Sequence, residues 1–236
     1  MSKIVLITGA SSGIGKSTAT YLSKKGYTVY GTSRNPKNVN EFPFNLIALD
    51  VLKVDTINAA VKLILDKEGR IDVLINNAGM GITGPIEDTP TEEMRAVFST
   101  NLFGAIDVMK AVLPQMRKQK SGTIINVTSI AGYMGLPFRG LYSATKGALE
   151  TITEATSMEV KPFGINVVNV APGDFATNIA AGRYHTPVFE DSAYKENYQK
   201  NYSTALKNLV KSEESEKKRF DEKLIKTSFR NYKKEE

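Results

Sequence analysis

The chain reads as an α/β protein built on a doubly wound parallel sheet. Three observations predict it. Short apolar segments alternate with amphipathic helical segments from Lys3 to Ala171. Those apolar segments are continuous rather than alternating polar and apolar, as strands buried on both faces are. A glycine-rich turn, Thr8-Gly9-Ala10-Ser11-Ser12-Gly13-Ile14-Gly15, joins the first strand to the first helix. Right-handed crossovers then place helices on both faces of the sheet.

Taken in order, Lys3–Ile7 is a strand and Ile14–Lys25 a helix stopped by Gly26. Thr28–Thr32 and Asn45–Leu49 are strands, separated by a short segment, Pro36–Phe44. Asp55–Lys67 has helical periodicity through Ile57, Val61, Ile64 and Leu65, and Val73–Asn76 is a buried strand. Thr91–Lys118 is one long helix with Thr91 as its N-cap. Thr123–Thr128 is a strand, Leu141–Pro162 mostly helix, and Asn166–Ala171 the last strand. Beyond it, Tyr194, Tyr198, Tyr202 and Leu206 recur at helical spacing, as do Phe220 and Leu224. Lys211–Arg219, nearly all charge, lies between these two amphipathic helices. We therefore divide the chain into a dinucleotide-binding catalytic domain, 1–188, and a charged helical tail, 189–236. The tail is expected to cover the sheet edge at the last strand, because an open edge invites aggregation.

Composition removes several classes of function. The 236 residues are 41% hydrophobic and 24% charged, enough apolar residue to bury a core and too much for a disordered chain. With no cysteine there is no disulfide scaffold, thiolate metal site or cysteine nucleophile. The lone histidine, His185, is read as a loop residue, and no metal is expected. No apolar run approaches the ~18–20 residues that cross a bilayer, and the N-terminal run is too short for a signal peptide. A cytoplasmic protein without a membrane span follows as the expectation. The net charge of +6 is scattered among acids, with no Lys/Arg run interleaved with aromatics, so no nucleic-acid partner is expected.

The chemistry lies in four places. Gly9, Gly13 and Gly15 permit a tight turn and close approach of a pyrophosphate. Ser11, Ser12 and Ile14 stand there at a helix N-terminus, whose free N–H groups and dipole attract anions. Tyr142 and Lys146 stand four residues apart, on one helix face. A phenol in water titrates near ~10; an ammonium one turn away stabilises the phenolate and suits the tyrosine to proton transfer near neutrality. Ser129 ends a strand, where it can hydrogen-bond a carbonyl or alkoxide oxygen. Asn101 sits inside the long helix, a position that its competing amide disfavours. Tyr21 and Lys25 repeat the Tyr-x3-Lys spacing on the helix behind the glycine loop, where they read as surface residues.

The order Thr8–Gly15, Asn76-Asn77-Ala78-Gly79, Ser129, Tyr142-Ser143-Ala144-Thr145-Lys146 and Pro172-Gly173 resembles the short-chain dehydrogenase/reductase family over residues 3–180. The resemblance implies a Rossmann-like fold. It makes Asn101, Ser129, Tyr142 and Lys146 the catalytic set, with Lys146 also binding the nicotinamide ribose and Asn101 holding a water of the proton relay. It assigns Asp50 and Val51 to the adenine, Asn77, Ala78 and Gly79 to the cofactor, Pro172 and Gly173 to the nicotinamide, and Thr177 to its carboxamide. An acid after the second strand would accept the ribose hydroxyls of NAD. This chain has Ser33 and Arg34 instead, and the guanidinium fork fits the 2′-phosphate of NADP(H).

Phe175, Ile179, Met134, Leu136 and Phe138 would line an apolar substrate pocket. The sequence departs from the family at its end, where no seventh strand is readable and no glycine follows Gly182. The reading is an NADP(H)-dependent oxidoreductase interconverting a secondary alcohol and a carbonyl on an apolar small-molecule substrate. Family members pair through the two long helices, which implies a homodimer or homotetramer. The alternative is an NADP(H)-binding protein without turnover, its substrate site compromised by the altered tail; a module that binds partners through its charged tail helices has the least support.

Overall fold

A computed structural model describes residues 2–173 and 183–201. Its first strand, β1 (Ile4–Ile7), is buried along its whole length, which requires a central place in the sheet. The chain then forms α1 (Gly13–Lys24), β2 (Thr28–Ser33), β3 (Asn45–Ala48), α2 (Val54–Glu68), β4 (Val73–Asn76) and a two-residue strand, β5 (Ile82–Thr83). It continues through α3 (Thr91–Phe98), α4 (Gly104–Gln119), β6 (Gly122–Val127), α5 (Gly140–Val160), β7 (Ile165–Val170) and β8 (Tyr184–His185). The strand order β3-β2-β1-β4-β6-β7, parallel throughout, makes the main sheet. β5 and β8 pair separately, also in parallel.

Strand alternation splits the core into two layers. Ile4, Leu6, Leu74, Ile124 and Val167 face one side, against Ile57 and Ile64 of α2 and Val108, Val112 and Met116 of α4. Val5, Ile7, Val29, Val73, Ile75 and Ile125 face the other, against Ala19 and Leu22 of α1 and Phe44. Winding reverses between β1 and β4, and a crevice opens where their C-terminal ends part, the place at which such sheets bind ligands.

One polar cluster interrupts this apolar interior. Asn76 and Asn126 are register partners on β4 and β6, and the Asn76 amide donates to Asn126 Oδ1 at 2.9 Å and to the Ala105 carbonyl of α4 at 3.1 Å. Asn126 in turn donates to Thr153 Oγ1 of α5 at 2.9 Å.

The predicted elements sit within a residue or two of those observed, with three corrections. The segment 91–118 is not one regular helix: residues Ser99–Phe103 form a π-helical turn between α3 and α4. Thr91 is the first helical residue rather than the N-cap. Pro90, with ψ 137°, holds the cap position and its carbonyl accepts from Glu93 and Met94. The stretch Thr91–Gln119 is long and apolar enough, by length and composition, to cross a membrane, although polar residues interrupt it throughout; its apolar face packs on the sheet. His185 lies in β8, paired with Thr83, not in a loop.

The described part of the C-terminal region does not lie on the sheet edge. Residues 183–201 pack on β5 and the segment after it, and Val168 of β7 stays 46% exposed. The physical reason is partner chemistry: β5 and its neighbours offer a strand to pair with, single carbonyls and an aromatic ring, whereas a strand edge offers a ladder that helix side chains cannot satisfy. Residues 195–201 are helical. The remainder of the predicted tail lies outside the described residues.

Candidate active site

The crevice is built from three loops bound to one another. The Thr8 hydroxyl accepts from the backbone N–H groups of Asn77 and Ala78, and the Asn77 amide donates to the carbonyls of Thr8 and Gly9, all at 2.9–3.0 Å. Thr32 of β2 accepts from Gly9 and Ala10 through its hydroxyl and carbonyl. Two glycines make this closeness possible. Gly9 has φ +66°, and a Cβ there would sit 3.0 Å from Ala78 Cα. A Cβ on Gly15 would stand 2.3 Å from the Gly9 carbonyl oxygen and 2.5 Å from Asn77 Nδ2. Gly15 thus supports the loop from behind.

The resulting cavity, about 290 Å³, is lined by Gly9, Ser11, Ser12, Gly13 and Ile14. Ser33 and Arg34 line it after β2, Asp50 and Val51 after β3, and Asn77, Ala78 and Gly79 after β4. Arg34 is exposed at the end of β2. The first turn of α1 has no side-chain cap, since Ser12 at its N-cap is extended and makes no capping bond. Its uncapped amides beside an open, glycine-floored cavity fit an anionic dinucleotide. Sequence reasoning included Thr8 in the glycine-rich motif without giving it a role, and missed Thr32, Thr100 and Met80. Met80 was findable, as it adjoins a recognised motif.

Next to the cavity, four elements converge. Asn101 is 1% exposed and occupies the π-helical turn. Its Oδ1 accepts from Met80 N at 2.8 Å, while Nδ2 donates to the Met80 carbonyl at 2.9 Å and to Thr145 Oγ1 at 3.2 Å. Extra turns of this kind recur at functional sites because they re-aim a side chain and loosen the backbone ladder. Lys146, 5% exposed, donates from Nζ to the Val127 carbonyl at 2.8 Å. Burial pulls its pKa down from 10.5 to about 8. A Cβ on Gly79 would lie 3.2 Å from Asn101 Oδ1 and 3.7 Å from Lys146 Nζ, so both atoms border the same loop. Lys146 Nζ lies 5.9 Å from the centre of the Tyr142 ring.

Ser129 caps the turn 130–133, its Oγ accepting from Ala131 N at 3.2 Å. That turn approaches α5 at backbone distance, since a Cβ on Gly132 would meet Gly147 N at 3.0 Å. Pro172 accepts from Ile130 N at 3.0 Å, which ties the exit of β7 to the same turn, and Gly173 follows it, exposed. Thr177, Phe175 and Ile179 lie outside the described residues. Of the other pocket residues, Met134 is 58% exposed and Phe138 has φ +62°, a left-handed backbone that costs a bulky residue ~1–2 kcal/mol. Sequence reasoning also missed Thr145, which shares the Asn101 amide and was visible only as a polar residue inside the Tyr-x3-Lys stretch.

A profile of the family described as short chain dehydrogenase matches residues 3–187. A 3-ketodihydrosphingosine reductase of Bacteroides thetaiotaomicron is 46% identical over 211 residues, 89% of this chain and 77% of its own length. A crystal structure of a short-chain dehydrogenase from Streptomyces avermitilis superposes with a TM-score of 0.78 at 37% identity, covering 86% of this chain and 77% of that one. ElxO with NADP bound gives a TM-score of 0.72 at 30% identity, covering 86% and 91%. Both NADP and NADH occur in complexes of similar structures. The glycine loop, the buried lysine and the Asn-bearing π turn thus stand in a chain that belongs to the short-chain dehydrogenase/reductase family of oxidoreductases.

Proposed function

We propose that the protein is an NADP(H)-dependent reductase of an apolar ketone, able to run in reverse on the secondary alcohol. One observation carries this reading: Lys146 is buried, fixed by the Val127 carbonyl and set beside Gly79 and Asn101, one turn from Tyr142. Pure nucleotide binding needs no such arrangement. Gly9, Ser11, Ser12, Gly13, Asn77, Ala78 and Gly79 would hold the cofactor's phosphates and riboses, Asp50 and Val51 its adenine, and Pro172, Gly173 and Thr177 its nicotinamide end. Bound there, the nicotinamide supplies the hydride for reduction. Tyr142 donates the proton to the carbonyl oxygen, and Ser129 holds that oxygen by a hydrogen bond. Lys146 stabilises the tyrosine's conjugate base, and Asn101 fixes the Met80 loop and supports proton return.

Arg34 and Ser33 favour the phosphorylated cofactor, because no acid flanks Arg34 along the chain at the end of β2, where Ser33 and Asn35 stand on either side of it. The name of the Bacteroides relative, 3-ketodihydrosphingosine reductase, supports a ketone as substrate. Exposed Phe103 at the start of α4 and Met158 near the end of α5 support pairing of two copies through these helices. The test is NADPH oxidation, followed by loss of nicotinamide absorbance, across a panel of long-chain ketones. Turnover that disappears in Tyr142→Phe is the expected result; activity retained in that variant, or none on any ketone, overturns the reading.

A further inference from the structure

The turn that leads into α5 is held from outside the motifs. Phe138 has φ +62°, and its carbonyl accepts twice, from Gly84 N at 2.9 Å and from Thr83 Oγ1 at 2.9 Å. A backbone in that region persists only where its surroundings over-determine it. Its ring packs on Tyr198, with centroids 5.2 Å apart and planes inclined by 51°. Tyr198 is itself only 4% exposed, and its hydroxyl donates to the Thr83 carbonyl at 3.1 Å. Thr83, Phe138 and Tyr198 therefore close a triangle: β5, the turn before α5 and the helix at 195–201.

That third corner arrives on a segment with its own anchors. Tyr184 N donates to Gly81 O and Thr186 N to Thr83 O; Thr186 and Thr89 share a buried hydroxyl bond of 2.8 Å; Ser192 donates to Asp88 at 2.5 Å and Tyr194 to Glu87 at 2.8 Å. Downstream of the triangle, Arg139 O accepts from Ser143 N, the first intrahelical bond alongside Tyr142. Upstream, a single residue, Gly81, separates β5 from Met80, which is bonded to Asn101.

We propose that Tyr198 is a positioning residue for the reaction. By stacking on Phe138 and bonding Thr83, it fixes the turn that presents Tyr142 and joins that turn to the loop carrying Gly79 and Met80. The proposal rests on the catalytic reading of Tyr142 given above. Its consequence is a C-terminal segment that takes part in proton transfer without touching substrate.

The experiment combines hydrogen exchange with kinetics on the full chain. In Tyr198→Ala, peptides covering 82–89 and 136–146 should exchange faster, while β1 and β4 keep their protection. The kcat for a ketone should fall about tenfold with the ketone KM moving less, since small misplacements of an acid cost turnover before binding. The NADPH Kd should stay within about twofold. Tyr198→Phe, which keeps the ring, should recover most of the turnover, and Phe138→Gly, which accepts the left-handed backbone but lacks the ring, should resemble Tyr198→Ala.

Unchanged exchange at 136–146 in Tyr198→Ala overturns the proposal, as does an equal loss of kcat in Tyr198→Phe and Tyr198→Ala with no difference in exchange between them. Should Tyr198→Ala lose protection in β1 and β4 as well, Phe138→Gly decides: faster exchange at 82–89 with β1 and β4 still protected supports the triangle, and unchanged exchange at 82–89 overturns it. If the unmutated protein reduces no ketone, the functional reading falls, and the exchange data still settle whether Tyr198 holds the turn.

Discussion

The molecule contains the same four-residue spacing twice. On α1, Lys25 Nζ lies 5.6 Å from the centre of the Tyr21 ring; on α5, Lys146 Nζ lies 5.9 Å from that of Tyr142. Helix geometry delivers both pairs alike. Everything else differs. Lys25 caps the end of α1 and is exposed to water. Lys146 is buried, bound to Val127 O, and neighboured by Gly79 and Asn101. A Tyr-x3-Lys spacing therefore supplies proximity, and the chemistry comes from desolvation and from partners on other elements.

The largest expected effect breaks that contrast directly. Tyr142→Phe should lower ketone turnover by ~10²-fold or more with little change in NADPH binding, because only the proton donor is lost. Tyr21→Phe should leave turnover within about twofold. Steady-state rates and cofactor titrations on both variants decide it, and similar losses in the two would dissolve the distinction.

The next effect is on stability. Burial holds the Lys146 pKa at about 8, below its value in the unfolded chain, near ~10.4. The folded state thus binds this proton less tightly than the unfolded one. Above the unfolded pKa the burial carries no ionic penalty; as pH falls from there through about 8, the penalty grows to its full size, about 3 kcal/mol. Cofactor-free protein should therefore gain stability relative to Lys146→Met as pH rises from 8 to 10.5. Parallel denaturant titrations at each pH measure this, and a constant difference between the two proteins would refute it.

A smaller loss is expected on the cofactor side. Gly15→Ala should destabilise the fold by ~1–3 kcal/mol, since the new methyl group meets backbone oxygen and the Asn77 amide. It should weaken NADPH binding as well, by parting the glycine loop from the loop after β4. Smallest of all is Arg34→Ala combined with Ser33→Asp, which should cost about tenfold in NADPH affinity and turn preference toward NADH. Fluorescence titration of both cofactors tests it, and tighter NADH binding by the unmutated protein would contradict the assignment.

What was legible in the sequence follows the same division. The cavity proposed for the cofactor is made mostly by backbone, glycines and short loops at strand ends, so each lining residue stands close to its motif. Ser11, Gly13 and Arg34 could be placed by reading along the chain, Asp50 and Asn77 by the family resemblance, and all five line one cavity. The half proposed to be catalytic depends on contacts between residues far apart in sequence. Asn101 stood out as an awkward helix residue, but its hold on Met80 and Thr145 is set by packing across 21 and 44 positions. The two-residue strands β5 and β8 carry too little pattern to register as strands. The Tyr194–Tyr198 stripe did announce an apolar helix face, and its partner was misjudged because an open strand edge looked like the surface in greater need of cover.

The pair Asn76 and Asn126 sets where Gly79 and Ser129 stand. Their amides face each other on one rung of the sheet, and each is fastened to a helix besides, at Ala105 and Thr153. A slip of β6 by a single residue would bring an isoleucine or valine opposite Asn76 and strand Asn126 among aliphatic side chains. Gly79 lies three residues beyond Asn76, and Ser129 three beyond Asn126. Both loops are thus measured off from one shared level, like two arms hung from the same beam. The height of the serine relative to the glycine is decided in the middle of the sheet, at a pair of buried amides.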